Sequence, residues 1–274
     1  MAGLPKISAL RIERFRNTVW EYYRKARRRL PWRQTTNPYH ILVSEVMLQQ
    51  TQVERVAEKY EAFINAFPDF PSLRRAPLHR VLSIWQGLGY NRRAIALKRI
   101  AEEVMRRYRG TVPSSVEELI ALPGIGKATA SAIVAFAYNQ PSVFVETNIR
   151  RVIGHFFFPR REHVTEQELL AVVEKTLDRS DPRQWYYALM DYGAMLKRTH
   201  PNRVNVHRRR QPRFEGSRRQ LRGVVLRTVL HQAGLTESAL IEHIGKEPRQ
   251  VREVLRQLKN EGFLKKRGGI YTIS

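Results

Sequence analysis

Strand signals are nearly absent from this chain before residue 260, and apolar residues recur there at helical spacing. A chain of 274 residues patterned this way has to build its core by packing helix on helix. Ile7 to Arg29 reads as a helix that ends in the basic cluster Arg24-Lys25-Ala26-Arg27-Arg28-Arg29. Leu30-Pro31-Trp32-Arg33 breaks it, and Asn37-Pro38 opens the next helix with proline in its first turn. Two helices rich in Val, Met and Ala follow between Ile41 and Phe67, then one from Pro77 to Leu88 and one from Ala94 to Tyr108. Ser115 and Glu118 form a capping box, Leu122-Pro123-Gly124-Ile125-Gly126 is a tight turn, and Ala128 to Tyr138 is helical again.

The pattern changes near residue 197. Lys197 to Arg222 holds ten basic residues and one acid, Glu215, and reads as an irregular basic connector. Helical spacing then returns in Leu221–His231, Glu237–Ile244 and Pro248–Glu261, the last with Val251, Val254, Leu255 and Leu258 on one face. Phe263 to Ile273 reads as a hairpin around Gly268-Gly269. Three helices and a terminal hairpin make a winged-helix pattern.

Charge narrows the partner. Lys and Arg number 49 against 25 Asp and Glu, a net charge of +24, while the hydrophobic fraction of 42% is that of a folded protein. A polyanion is the expected partner: nucleic acid first, an anionic membrane surface or the ribosome second. No cysteine is present, which excludes disulfides, thiolate metal or iron–sulfur ligation and a cysteine nucleophile. No apolar run is long enough for a membrane span and no signal-peptide core precedes the first helix, so a cytoplasmic, nucleoid-associated chain with no membrane partner is expected.

Three elements can carry chemistry. The Gly124-Ile125-Gly126 turn places backbone N–H groups at a helix N-terminus with no side chain in the way, an anion site suited to a DNA phosphate, with Lys127 and Thr129 beside it. An ordinary helix–helix turn is the plain alternative. Glu45 has Ile41, Leu42 and Leu48 as helical neighbours, so its carboxylate shares a face with the core. Burial would make it a proton donor near neutral pH, although a helix-end glutamate reaching solvent fits the spacing equally well. Val143-Phe144-Val145-Glu146 delivers a second acid to a helix start, where the helix dipole alone would also favour it. Two such acids suit proton donation plus stabilisation of a developing cation, the needs of glycoside-type cleavage.

Five strings in order then resemble a known family: Leu30-Pro31-Trp32-Arg33, SEVMLQQTQV (44–53), WQGLGY (85–90), LPGIGKATA (122–130) and ALMDYGAM (188–195). Over about Leu30 to Leu196 the chain resembles the helix-hairpin-helix DNA glycosylases, and within them the A/G-specific adenine glycosylases of the MutY type. The resemblance implies an all-α, two-lobed helix-hairpin-helix fold that flips a base out of duplex DNA and hydrolyses its N-glycosidic bond. It implies that Glu45 protonates adenine at N7 and handles the water, that Glu146 stands where the family has a cation-stabilising aspartate, and that Asn148 supports that site. Gln50 and Tyr90 match residues that wedge into the duplex, and Arg28, Arg33 and Asp191 match supporting positions. Arg33 is accordingly expected among the DNA-binding residues, with Gln50, Tyr90, Gly124, Gly126, Lys127 and Thr129.

Four departures qualify the match. Glu146 replaces the aspartate. Ala128 stands where bifunctional members carry a lysine nucleophile, which points to a monofunctional hydrolase. The iron–sulfur loop is replaced by cysteine-free Lys197–Arg203, and the domain that reads 8-oxoguanine by the winged helix. There, Arg249, Arg252 and Arg256 with Lys259 on the third helix, and Lys265, Lys266 and Arg267 in the wing, are expected to contact duplex DNA. The expected organisation is a glycosylase domain over 1–196, a connector over 197–220 and a winged helix over 221–274. No metal or cofactor is expected beyond a monovalent cation at the hairpin. The expected partner is duplex DNA with a mismatched or damaged base, bound by a monomer. The same scaffold acting on uracil or thymine opposite guanine or on hypoxanthine, and a non-catalytic DNA-binding protein, are the alternatives.

Overall fold

The computed structural model describes residues 7–161, 163–199, 213–232 and 234–274. In chain order its helices are α1 (Ala9–Ala26), α2 (Pro38–Leu48), α3 (Val53–Ala66), α4 (Phe70–Arg75), α5 (Leu78–Trp85), α6 (Arg92–Arg107) and α7 (Val116–Ile120). Then come α8 (Lys127–Tyr138), α9 (Thr147–Phe157), α10 (Glu166–Thr176), α11 (Pro182–Thr199), α12 (Arg218–His231), α13 (Glu237–Ile244) and α14 (Pro248–Asn260). Strands β1 (Leu235–Thr236), β2 (Leu264–Arg267) and β3 (Ile270–Ile273) form one antiparallel sheet in the order β1-β3-β2. Local chemistry sets the helix starts: Asn37 Oδ1 accepts from the N–H of Tyr39 at 2.9 Å, and Ser115 Oγ from that of Glu118 at 3.2 Å.

The residues fall into two compact units. The first lies within Met1–Gln49 and Thr111–Arg208. Its centre is α8, where every residue from Ala130 to Ala137 is buried, a helix with no solvent face except at its ends. Helix α2 packs on it, and α1 lays Phe15, Val19 and Tyr23 against α11. Phe136 of α8 stacks on Tyr187 of α11 with ring centroids 4.7 Å apart. Helices α9 and α11 meet at Gly193, where a Cβ would stand 2.5 Å from the backbone oxygen of Asn148. Only glycine allows that approach.

The second unit lies within Gln50–Gly110 and Arg209–Ser274. Trp85, fully buried, packs edge-on against Phe63. The C-terminal module is a winged helix: α14 buries Val251, Val254, Leu255 and Leu258, and β2 and β3 pair from Leu264↔Ile273 to Arg267↔Ile270 around Gly268-Gly269. Helix α12 of this module packs on α5. The compact units therefore do not divide at the boundary expected after residue 196, because contacts from the winged helix onto α5 and α6 join it to residues 50–110. Helix α11 also runs past that boundary, and α12 begins before residue 221. Of the expected connector, residues 200–212 lie outside the described residues.

Candidate active site

Glu45 projects from α2, whose residues Ile41 to Ser44, Val46 and Met47 are all buried. Surrounding protein strips its carboxyl of water, and that burial is the main cause that pushes its pKa up to about 8. The charge of Glu146 pushes in the same direction, and the guanidinium of Arg33 opposes both. Glu45 itself is half-buried, between the two placements the spacing left open.

Glu146 is the N-cap of α9. Its Oε1 accepts from the backbone N–H of Asn148 at 2.7 Å and of Ile149 at 2.8 Å, while Asn148 Nδ2 donates to Oε2 at 3.3 Å. Burial raises its pKa, and the two backbone bonds pull the other way. Those bonds favour the ionised form of Glu146, and its charge in turn helps raise the pKa of Glu45. The cap anchors the carboxylate. Asn148 is fixed in turn: its Oδ1 accepts from Arg151 Nη1 at 2.9 Å, and the same nitrogen donates to Gly193 O at 2.9 Å.

Asp191, 2% exposed, is the hub beneath this pair. It accepts from the backbone N–H of Arg28 at 2.9 Å, from Arg28 Nε at 2.6 Å and from Arg33 Nη1 at 3.0 Å. Arg33 lies with its guanidinium 4.4 Å from the centre of the Tyr187 ring, and its side chain is 7% exposed. This corrects the expectation that Arg33 binds DNA. A guanidinium committed to a buried carboxylate and an aromatic face cannot reach a phosphate; it acts on the charge of Glu45 instead.

The hairpin between α7 and α8 has Gly124 at φ 77°, a left-handed turn, and Gly126 exposed as the N-cap of α8. A Cβ on Gly126 would meet nothing, so the approach to the first-turn N–H groups is open. Lys127 and Ala128 are exposed, and Thr129 is half-buried. Gln49, one helical turn beyond Glu45, donates through Nε2 to Gly124 O at 3.1 Å and Thr129 Oγ1 at 3.2 Å. It ties the hairpin to the helix that carries the acid. Sequence reasoning held Gln49 only inside a matching string, and it missed Tyr187 and Arg151.

In the second unit Gln50 (φ 54°) and Tyr90 (φ 45°) both adopt the left-handed conformation that non-glycine residues rarely take. Both are exposed, Tyr90 by 42%, so its ring is not part of the core. Buried Arg93 holds both turns. Its Nη2 donates to Thr51 Oγ1 at 2.8 Å, to Leu88 O at 3.2 Å and to Gly89 O at 3.1 Å. On the winged helix, Arg249 and Arg256 are exposed. Arg252 and Lys266 instead share Glu237, at 3.0 and 3.5 Å, which partly neutralises them.

No group of three or more His, Cys, Asp or Glu is placed to hold a metal among the described residues. A thiolate-held cluster does not fit this chain, because it has no cysteine to supply a ligand.

A helix-hairpin-helix fold that carries an acid of raised pKa and a capped carboxylate defines the class as a DNA-repair scaffold. The HhH-GPD superfamily of base excision DNA repair proteins matches residues 43–175. An adenine DNA glycosylase of Mycolicibacterium smegmatis is 35% identical over 225 residues, covering 75% of this chain and 76% of that relative. An adenine DNA glycosylase of Buchnera aphidicola (strain Bp) is 36% identical over 66% of this chain and 52% of its own length, so the chain spans about half of that relative. Among solved structures, a thermostable thymine-DNA glycosylase superposes with a TM-score of 0.62 at 26% identity, covering 71% of this chain and 91% of that one. The chain belongs to the HhH-GPD superfamily of base excision DNA repair proteins.

Proposed function

We propose that this protein is a monofunctional DNA glycosylase that turns a mispaired adenine out of duplex DNA and hydrolyses its N-glycosidic bond. The reading is supported by the raised pKa of Glu45, about 8, together with the anchoring of the Glu146 carboxylate at the N-terminus of α9. Glu45 donates that proton to the N7 position of the purine, which departs as a neutral base. Glu146, fixed by Asn148 and the α9 N-terminus, faces the positive charge that develops on the sugar. Glu45, now ionised, takes a proton from the water that adds to the anomeric carbon. Alanine at 128 offers no amine for a Schiff base, so the product is an abasic site in an uncut strand. The exposed hairpin turn grips a phosphate, Gln50 and Tyr90 enter the duplex, and the winged helix adds phosphate contacts through Arg249 and Arg256.

The structural likeness to a thymine-DNA glycosylase supports a second reading, the same scaffold acting on thymine or uracil opposite guanine. Labelled duplexes carrying a panel of mispairs, cleaved with alkali after incubation, separate the two. Adenine release is the expected result. Release of a pyrimidine alone would select the second reading, and no release from any duplex would leave a DNA-binding protein without catalysis.

A further inference from the structure

The end of α14 meets the turn that carries Tyr90. Glu261, the C-cap of α14, accepts from Arg92 through two bonds, Nε to Oε2 at 3.0 Å and Nη2 to Oε1 at 2.8 Å. Arg222 of α12 closes on the same carboxylate from the other side, at 2.9 and 2.6 Å. Arg92 is the first residue of α6 and lies two positions after Tyr90. A second contact crosses the same junction, where Gln86 at the end of α5 approaches His231 at the end of α12, 3.4 Å between their nitrogens. Forked pairing of two guanidiniums on one carboxylate fixes direction as well as distance.

The two long faces of α14 differ in charge. Glu253, Gln257 and Glu261 are engaged by Arg218 and Arg222 of α12 and by Arg92 of α6. Arg249, Arg256 and Lys259 lie on the exposed side and form no ion pair among the described residues. Spacings of seven and three residues keep them on one stripe of the helix. A basic stripe with its acids spent internally fits the phosphate backbone of a duplex.

We propose that Glu261 latches the winged helix onto the Tyr90 turn, so that the basic stripe of α14 grips the same stretch of duplex that Tyr90 enters. Glu261 is a positioning residue that touches no base. It makes the module and the wedge one DNA-reading body in which phosphate contacts on α14 set where Tyr90 points. The proposal rests on the glycosylase reading for its purpose but not for its test.

The test compares the full chain with Glu261→Gln and Arg92→Met, which open the latch from opposite sides. Amide hydrogen exchange of residues 86–93 reads the turn, and binding to a mispaired duplex reads the stripe. Both variants are expected to speed exchange in the turn and to weaken duplex binding about tenfold. The chain has no cysteine, so Arg92→Cys/Glu261→Cys can be bridged by a short bis-maleimide. The bridged protein is expected to regain wild-type affinity and the unbridged one is not, a rescue that a general loss of stability would not produce. Unchanged exchange and affinity in both single variants overturn the latch, as does a bridge that restores nothing. If the unaltered chain releases no base from any mispair, the glycosylase reading fails while exchange and binding still judge the latch.

Discussion

The protonation of Glu45 makes the most exposed prediction. A glutamate titrating near its ordinary 4.5 would hold its proton in about one molecule in 300 at pH 7. At about 8 it holds it in about nine of ten. Single-turnover base release under saturating enzyme is therefore expected to be nearly level from pH 6 to 7, to halve near pH 8, and to approach a tenfold fall per pH unit above about 9. Alkali cleavage of an end-labelled duplex measures it. Glu45→Gln is expected to lose release while keeping duplex affinity within about threefold, because the amide conserves shape. The same linkage has a sign in stability. A carboxyl whose folded pKa lies above its unfolded value contributes stability that is full below the unfolded value, near 4.5, and is lost as pH rises through about 8. Glu45→Gln is thus expected to melt above the wild type at pH 8.5, with the difference shrinking toward pH 5. A release rate that climbs steadily from pH 6 to 9, or a break near pH 4.5 with no other, would refute the assignment of Glu45 as the proton donor.

Three other outcomes follow from named contacts. Gly193→Ala places a methyl group 2.5 Å from Asn148 O, so α9 has to shift; a loss of about 2–4 kcal/mol in urea unfolding is expected, with slower base release through the displaced Asn148. Asp191→Asn strands the guanidinium of Arg33 without its counter-charge and should cost about 3–5 kcal/mol, measured by the same unfolding. The double change Arg249→Ala/Arg256→Ala is expected to lower the slope of log affinity against log salt by about 2, since each side chain displaces about one counterion, and to leave unfolding unaltered.

The legible parts of the site and the hidden ones differ in a consistent way. The hairpin was readable because Gly124 and Gly126 act through backbone geometry that the residue type itself permits. Glu146 was readable as a helix-start acid, and it is the N-cap of α9, its carboxylate anchored by the cap. Arg33 misled because a basic residue in a basic chain reads as a phosphate contact. What buries it is Asp191, 158 residues away. Gln49 stood one turn from Glu45, yet its link to Gly124 depends on how α2 crosses the hairpin. The pairing of Arg92 with Glu261 spans 169 residues and carries no local signal at all.

By itself the sequence determined many of the helices, though not α4, α10 or α11, and which residue types stand at the turn and the pocket. Those properties arise from spacing, capping and turn chemistry within a few residues. Tertiary structure decided which charges are spent inside the protein, that Glu45 keeps its proton, and that the winged helix shares a compact unit with residues 50–110. Protonation and ion pairing depend on the water each group loses and the charges it meets, and segments far apart in the chain set both.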